Sequence, residues 1–541
     1  MENDSNPAEH QEPPPIQHEH THTFHETRAE KIKAWFKNPY NLTFVGILIL
    51  AFSIRLYYFI LTKNQPLWWD EAEYMSGAKS YAGLVDYHYN IGGGRLPGLP
   101  MLMSLFFMTG LSNEVFMRFF ALFIPAIILI LLTYFTVKEM YSDRRIALIS
   151  MAIMAVLWEN LFYSNRFQTE NISLIFQLAA FAILFKCYVK NENLWFIKSK
   201  YSLAWVVLFS AIAVMFRSGS APFTIAILLF IVFINKSRLL TKRNLLVGAI
   251  LAIPAIFAML WFVNHIMIPS RLYNPELPIS WVPLTVFYGF YESVIPNFPS
   301  ILFYLFILGI IILMIDIIIN KRKFIGIENN SSDIEFKSDV FNALLMISVL
   351  GMFIFFLRPA AIEYRYFFSL IPALFIFTAK GIITLSDYAA SFMNFKKLSI
   401  ILILLIISLG LYNQVMHSDG IIKMKADSYD QVRESGIWIK EHSSKEDVIV
   451  SASTTQHTYY SERKVYGFYV NGSNENEIAF DEKVKDINPR YLVISAFEPG
   501  FTPSWAYTWP QRHNESIVLA RAWFADAEQK QPLLVIYEFK K

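Results

Sequence analysis

The sequence is short of charge. Of its 541 residues, 17% are Asp, Glu, Lys or Arg, whereas a soluble globular domain carries about 25%. Apolar residues make up 55% and gather into long runs separated by short basic loops. A purely soluble enzyme and a disordered chain are both excluded. Cysteine is nearly absent: Cys187 stands alone, so no internal disulfide forms and a disulfide scaffold is excluded. The net charge of +3 is too small to point to a nucleic-acid partner. No repeat of fixed period is visible, which weakens a transporter reading. A cleavable signal is missing too. The first apolar run starts after roughly 40 polar residues and is longer than the about 7–15 residues of a signal core, so it reads as a signal anchor.

What the chain does have is a series of spans. A crossing helix needs about 20 mostly apolar residues for a hydrocarbon core of about 30 Å. Eleven runs qualify: 42–62, 113–137, 146–163, 171–189, 201–217, 220–235, 244–263, 300–320, 339–357, 366–385 and 397–415. An odd number puts the two ends on opposite faces. With the N-terminus inside, the inner loops hold 21 Lys and Arg residues, against 8 in the outer loops before the tail. Cytoplasmic loops carry this excess. The expectation is a multi-pass protein of the cell membrane, with a cytoplasmic N-terminus and an extracytoplasmic C-terminal domain.

Three parts follow. Residues 1–41 read as a cytoplasmic tail rich in Pro, Glu and His, too polar to fold alone, ending in an interfacial helix over 28–38. Five of the eleven histidines sit here, including His18, His20 and His22, but nothing in such a segment would fix a metal geometry. Residues 42–415 form the transmembrane domain. Its first external loop, 63–112, holds an apolar stretch over 101–109 that is too short to span and is expected to lie in the interface. The loop at 264–299, rich in Pro, Tyr and Trp, is expected at the membrane surface. Residues 416–541 read as an extracytoplasmic α/β domain: a helix around Val432 and Ile437, then strands at 447–453, 490–495 and 532–537.

The stretch Trp68-Trp-Asp-Glu-Ala-Glu-Tyr74 is the most informative. Its adjacent carboxylates stand just outside the first span, where burial raises carboxylate pKa values toward those of a general base. Acids at the positive end of a helix would look the same. Other charges reach the same outer face: Arg118, Arg166, Glu170, Arg217, Arg358, Glu363 and Arg365. Each alone reads as an ion pair or a snorkelling side chain. Converging beside two carboxylates, they suit a substrate with a phosphate leaving group, which arginine binds in bidentate fashion, and a hydroxyl nucleophile.

These residues carry a resemblance. The chain resembles the polyprenyl-phosphate-sugar-dependent glycosyltransferases of the GT-C fold, and more narrowly the protein O-mannosyltransferase and aminoarabinose-transferase superfamily, over roughly 42–385. Asp70-Glu-Ala-Glu-Tyr74 is similar to the acidic motif of the first external loop. Pro97-Gly-Leu-Pro100 and Met117-Arg118-Phe119 follow in the family's order. Tyr163-Ser-Asn-Arg166-Phe-Gln-Thr-Glu170 is similar to the second external loop, and Glu363-Tyr-Arg-Tyr366 with Pro372 to a late arginine–tyrosine motif. Two departures stand out. Phe216-Arg-Ser-Gly-Ser220 occupies a place where many members carry a lysine–glycine pair. The tail replaces the sugar-binding domain of the eukaryotic O-mannosyltransferases. Trp68-Trp69-Asp70 also matches a tripeptide of the oligosaccharyltransferase catalytic subunit by chance, since there it lies in the C-terminal soluble domain.

The resemblance implies a polytopic α-helical membrane protein of the GT-C type, with about eleven transmembrane helices and the C-terminal α/β domain. It implies an inverting enzyme that moves a monosaccharide from a polyprenyl or dolichyl phosphate to the hydroxyl of a protein, lipid or glycan acceptor. Asp70 would be the general base and Glu71 its positioning or acceptor-binding neighbour. Arg118, Arg166 and Arg365 would bind the donor phosphate. Tyr74, Arg95, Glu170, Glu363 and Tyr366 would support them or bind substrate. No cofactor is expected as a requirement, and a divalent metal stays open. The competing readings are a transporter or flippase for lipid-linked sugars, a non-catalytic membrane scaffold, and a polymerase or ligase using pyrophosphate-linked oligosaccharides. For the tail, acceptor recognition through Tyr459, Tyr460, Trp505, Tyr507 and Trp509 competes with simple capping, in which these rings are core.

Overall fold

The computed structural model describes residues 28–85, 95–235, 276, 278, 289–291, 300–319, 334–358, 363–468, 477–525 and 528–540. Helix α1 (Arg28–Lys37) leaves Ile32, Trp35 and Phe36 exposed beside Lys33 and Lys37, as an interfacial helix does. Helix α2 (Pro39–Thr62) begins at Asn38, whose side chain accepts the Tyr40 N–H at 3.0 Å, a standard N-cap with proline in the first turn. Its 24 residues reach about 36 Å at about 1.5 Å each, enough to cross.

The segment after α2 carries α3 (Trp69–Tyr81) and α4 (Gly98–Met108). Then come α5 (Glu114–Met140), α6 (Arg144–Val156), α7 (Trp158–Tyr163), α8 (Glu170–Val189), α9 (Ser199–Phe216) and α10 (Ser218–Ile234). Further on lie α11 (Ile301–Ile319), α12 (Ile334–Phe355), α13 (Tyr364–Phe392) and α14 (Lys397–Lys425). Among the described residues, eight helices are long and apolar enough to cross a membrane: α2, α5, α8, α9, α11, α12, α13 and α14 with its continuation. The expected span 220–235 is the shorter α10, and 244–263 lies outside the described residues, as does most of the loop 264–299. The expected span 146–163 is two helices, because the backbone turns extended at Leu157. Arg55, 1% exposed, binds the carbonyls near the break: Ala155 at 2.5 Å and Met154 at 3.2 Å, with Asn160 Oδ1 at 2.5 Å. A cation at this depth requires such partners.

Helix α4 shows why a run too short to span is stable here. Leu99, Met103 and Phe107 are buried, whereas Met101, Leu105 and Met108 are exposed, so the helix offers one face to protein and one to lipid. Gly98 lets it approach α9: a Cβ there would lie 2.7 Å from the Met215 carbonyl oxygen. The centre of the bundle is α13, 83% of whose apolar window is buried. At the end remote from α3, Arg145 pairs with Asp143 and Asp387, Lys186 and Lys190 with Glu139, and Lys380 with Asp339.

After α14 the chain turns into α15 (Asp430–Glu441), β1 (Val448–Ser451), α16 (Thr454–Ser461), β2 (Lys464–Tyr466), α17 (Glu477–Ile487), β3 (Tyr491–Ser495), β4 (Ile517–Phe524) and β5 (Pro532–Phe539). The sheet order is β2-β1-β3-β5-β4. β1 runs parallel to both β2 and β3, and β5 runs antiparallel to β3 and β4. Successive strand residues point to opposite faces. Val450, Leu492 and Ile494 therefore pack on Phe480 and Trp509, while Ile449, Tyr491 and Val493 pack on Val432 and Ile439 of α15. Both faces are covered, as continuous apolar strands require.

The tail sits directly on α3 and the residues before it. Tyr459 and Tyr460 of α16 are buried in one cluster with Leu67, Met75 and Ala78. The Leu67 N–H donates to the Tyr460 hydroxyl at 2.8 Å, and Lys79 Nζ donates to the Tyr459 carbonyl at 3.0 Å and to Glu462 at 2.8 Å. Trp505 and Trp509 are packed in the tail's core and Tyr507 is exposed.

Candidate active site

Helix α3 starts at Trp68, whose N–H donates to Glu71 Oε2 at 3.0 Å, half of a capping box. Neighbouring helical side chains diverge by about 100°, so Asp70 and Glu71 enter different surroundings. Glu71 turns inward and is 1% exposed. It accepts the Phe167 N–H at 2.8 Å and lies 3.4 Å from Arg166 Nη1 and 3.9 Å from Arg118 Nη1. Arg118 donates to the carbonyls of Asn165 at 2.6 Å and Gln65 at 2.8 Å. Arg166 stacks over Trp68 at 3.4 Å and Phe162 at 4.4 Å. Burial pushes the Arg166 guanidinium down to about 10 despite Glu71 beside it. This is a closed layer that ties the start of α3 to the turn between α7 and α8.

Asp70 faces the other way. Arg95 Nη2 donates to its Oδ1, and Arg365 Nη1 donates to its Oδ2 at 2.6 Å. Arg95 also donates to Glu73 at 2.9 Å and lies over the Tyr74 ring at 5.3 Å. Arg365 reaches Glu363 at 3.1 Å and Gln168 at 3.4 Å. Its own carbonyl accepts from Arg217 Nη2 at 2.7 Å, and Arg217 Nη1 holds Glu170 at 2.6 Å. Tyr366 stacks on Phe353 beside this row. Burial would raise the Asp70 carboxyl, but the two guanidinium groups outweigh it and hold the group below the usual carboxylate range. For Glu73 burial prevails over Arg95, and its carboxyl is raised.

The expected site residues thus fall into two networks. Asp70, Arg95, Glu363 and Arg365 form one, with Tyr74 and Tyr366 alongside and Glu170 linked through Arg217. Glu71, Arg118 and Arg166 form the other. Of the three arginines expected at the phosphate, the Asp70 carboxylate is paired with Arg365; Arg118 and Arg166 are engaged by backbone carbonyls, Glu71 and aromatic faces. Glu73 was not foreseen at the site, and Arg217 was expected on the same face but given no role. Glu73 lies three residues from Asp70 and hence on the same helical face, a usable signal. Arg217 stands in the stretch Phe216-Arg-Ser-Gly-Ser220, where the resemblance departs from the lysine–glycine pair, so no role could be carried over to it.

Among the described residues, no group of three or more His, Cys, Asp or Glu side chains could hold a metal ion. Both Asp70 oxygens are paired with guanidinium groups.

No protein-family model matches the sequence, and no curated protein matches it either. Solved structures do. The apo oligosaccharyltransferase of Archaeoglobus fulgidus superposes with a TM-score of 0.55 at 14% identity, over 85% of this chain and 70% of that one. The same enzyme in complex with Zn and sulfate gives 0.52 at 13%, over 83% and 68%. The chain has the GT-C fold. ArnT from Cupriavidus metallidurans, bound to undecaprenyl phosphate, spans 92% of this chain and 97% of its own at 11% identity and a TM-score of 0.45. In this GT-C chain, the paired Asp70 stands in the segment between α2 and α5, beside the ends of α8, α9 and α13.

Proposed function

We propose that the chain is a membrane glycosyltransferase that transfers a monosaccharide from a polyprenyl or dolichyl phosphate to an acceptor hydroxyl. The observation that carries this reading is one carboxylate, Asp70, held between two guanidinium groups from separate elements, Arg95 and Arg365. Asp70 takes the proton of the acceptor hydroxyl. The acceptor oxygen bonds to the anomeric carbon from the side opposite the phosphate, the bond to the phosphate oxygen breaks, and the electron pair stays on that oxygen. One base and one in-line attack invert the centre.

Arg365, with Arg217 behind it and Arg95 beside it, meets the charge that develops on the phosphate. The same movement activates the base. A guanidinium that turns from Asp70 to phosphate leaves the carboxylate more basic, so leaving-group stabilisation and base release are coupled. Glu71 positions Asp70 by fixing the first turn of α3 from beneath, and Arg118 and Arg166 hold Glu71. Glu170 orients Arg217, and Tyr74, Glu363 and Tyr366 line the row. The excess of Lys and Arg in the inner loops supports a cytoplasmic N-terminus and an external site and tail.

The test is transfer of a radiolabelled sugar by the full-length protein in membranes, with polyprenyl-phosphate sugars and a polyprenyl-pyrophosphate oligosaccharide offered in parallel. Transfer from a monophosphate donor is expected. Transfer from the pyrophosphate donor alone would move the chain to the polymerase and ligase class.

A further inference from the structure

Two carboxylates share one edge of Arg95. Asp70 and Glu73 both belong to α3, three positions apart, so their side chains project from the same face. Arg95 Nε donates to Glu73 Oε2 at 2.9 Å, and Arg95 Nη2 donates to Asp70 Oδ1. The Nε–H and one N–H of Nη2 point the same way. Together they form the fork that binds a single carboxylate in bidentate fashion. Here the fork is split between two. The Tyr74 ring, 5.3 Å from the guanidinium, lies within cation–π range and steadies it.

The split matters for Asp70. A second hydrogen bond from the same guanidinium would stabilise its charged form further, and a carboxylate so stabilised is a poorer base. Arg365 gives Asp70 a bond from Nη1 at 2.6 Å, while its Nη2 goes to Glu363 at 3.1 Å. Glu363 therefore competes for Arg365 as Glu73 competes for Arg95. The Glu363 side chain is 46% exposed, against 13% for Glu73. Solvent screens an exposed pair, so Glu73 is the stronger competitor. Glu170 of α8, Arg217 between α9 and α10, Tyr163 of α7 and Tyr366 of α13 also face this cluster. Helix α4, packed on α3, brings no titratable side chain, and α16 brings Tyr459, Tyr460 and Glu462, the last paired with Lys79.

Burial raises both carboxyls. Two guanidinium groups reverse this at Asp70, and Arg95 alone does not at Glu73. Proton uptake then changes the balance. Once Asp70 takes a proton its charge is gone, and a buried guanidinium left without an anion is costly. Glu73 is the anion that stays with Arg95.

We propose that Glu73 is a positioning residue for the base: it holds half of the Arg95 fork, so that Asp70 is not drawn into a bidentate pair, and it keeps Arg95 in place once Asp70 is protonated. The word base rests on the glycosyltransferase reading; the division of Arg95 does not.

The experiment has two arms, both on full-length protein in nanodiscs. In the first, infrared spectra of the unliganded protein are recorded against pH, and the Asp70 carboxyl is read as the band that Asp70→Asn removes. Glu73→Gln leaves a neutral acceptor that competes about half as strongly for the fork, and it removes a like charge. The Asp70 midpoint should then fall by about one pH unit, and Glu73→Asp should bring it back toward the wild type. An unmoved or raised midpoint in Glu73→Gln would overturn the proposal. In the second arm, single-turnover transfer from a polyprenyl-phosphate sugar is followed against pH. The acid limb of Glu73→Gln should move to lower pH, and its plateau rate should fall about three- to tenfold, as for a weaker base. A merely structural role would lower the amplitude and leave the limb in place, so a slow variant whose limb coincides with the wild type also overturns the proposal. If the wild type turns over no donor while the infrared midpoint falls, the transferase reading fails and the division of Arg95 stands.

Discussion

Asp70 and Glu71 are neighbours on one helical turn, yet one is bridged by Arg95 and Arg365 and the other is sealed beneath it. Glu71 offers its oxygens to two backbone N–H groups and lies beside two buried arginines. Glu71→Gln therefore leaves Arg118 and Arg166 without a compensating charge. The expected loss is about 3–5 kcal/mol, the scale for breaking a buried pair, read as a lowered melting temperature in detergent. A variant melting like the wild type would contradict the anchoring role. His457 gives a second residue-scale prediction. It is fully buried, between Ser435 and Ser451 hydroxyls, each 2.8 Å from a ring nitrogen, and burial pushes it down to about 4. The unfolded chain binds this proton below its ordinary value of about 6.5, so stability falls as the pH drops from about 6.5 to about 4, by up to roughly 3 kcal/mol. His457→Gln should flatten the dependence of melting temperature on pH across that window; an unchanged slope would refute it. At this scale the sequence was legible where spacing encodes proximity, as with Asp70 and Glu73. Spacing said nothing of the pairing between Asp70 and Arg365, which are 295 positions apart; only the resemblance brought both to one site.

Among the elements, the spans were legible because membrane crossing demands length and apolarity together. The break at Leu157 was not, since its carbonyls are served by Arg55, about 100 residues earlier. In the tail, β1, β3 and β5 were readable as apolar runs. β2 has only three residues, and β4 exposes Val518 and Leu519 at the sheet edge, so neither announces itself. The contact between α11 and α13 carries its own prediction. A Cβ on Gly309 would lie 1.9 Å from the Phe377 carbonyl oxygen, and one on Gly381 2.0 Å from that of Leu305. Small residues let membrane helices approach this closely, and backbone atoms cannot rotate aside. Gly309→Ala should lower stability by about 1–3 kcal/mol, the range for overpacking, seen as faster thermal inactivation in detergent. Unaltered inactivation would mean that the helices can separate at no cost.

For the whole molecule, the bundle, the external loop and the tail act as one unit around Asp70. The loop reaches the tail through Leu67 and Lys79, the turn before α8 through Glu71, and α13 through Asp70. Orientation belongs to this scale. Cys187 is buried and is the sole cysteine, so introduced cysteines report alone. Glu515→Cys in intact cells should react with a membrane-impermeant maleimide, and Lys396→Cys only after permeabilisation; the reverse pattern would invert the topology. The central claim is that Asp70 is the base that completes transfer once the donor is bound. The measurement that tests it most directly is single-turnover transfer by Asp70→Asn beside the wild type, with donor affinity measured on both. The account predicts donor binding within a few fold and a chemical step slower by about 100-fold or more, the scale of general-base catalysis. An unchanged chemical step would contradict it.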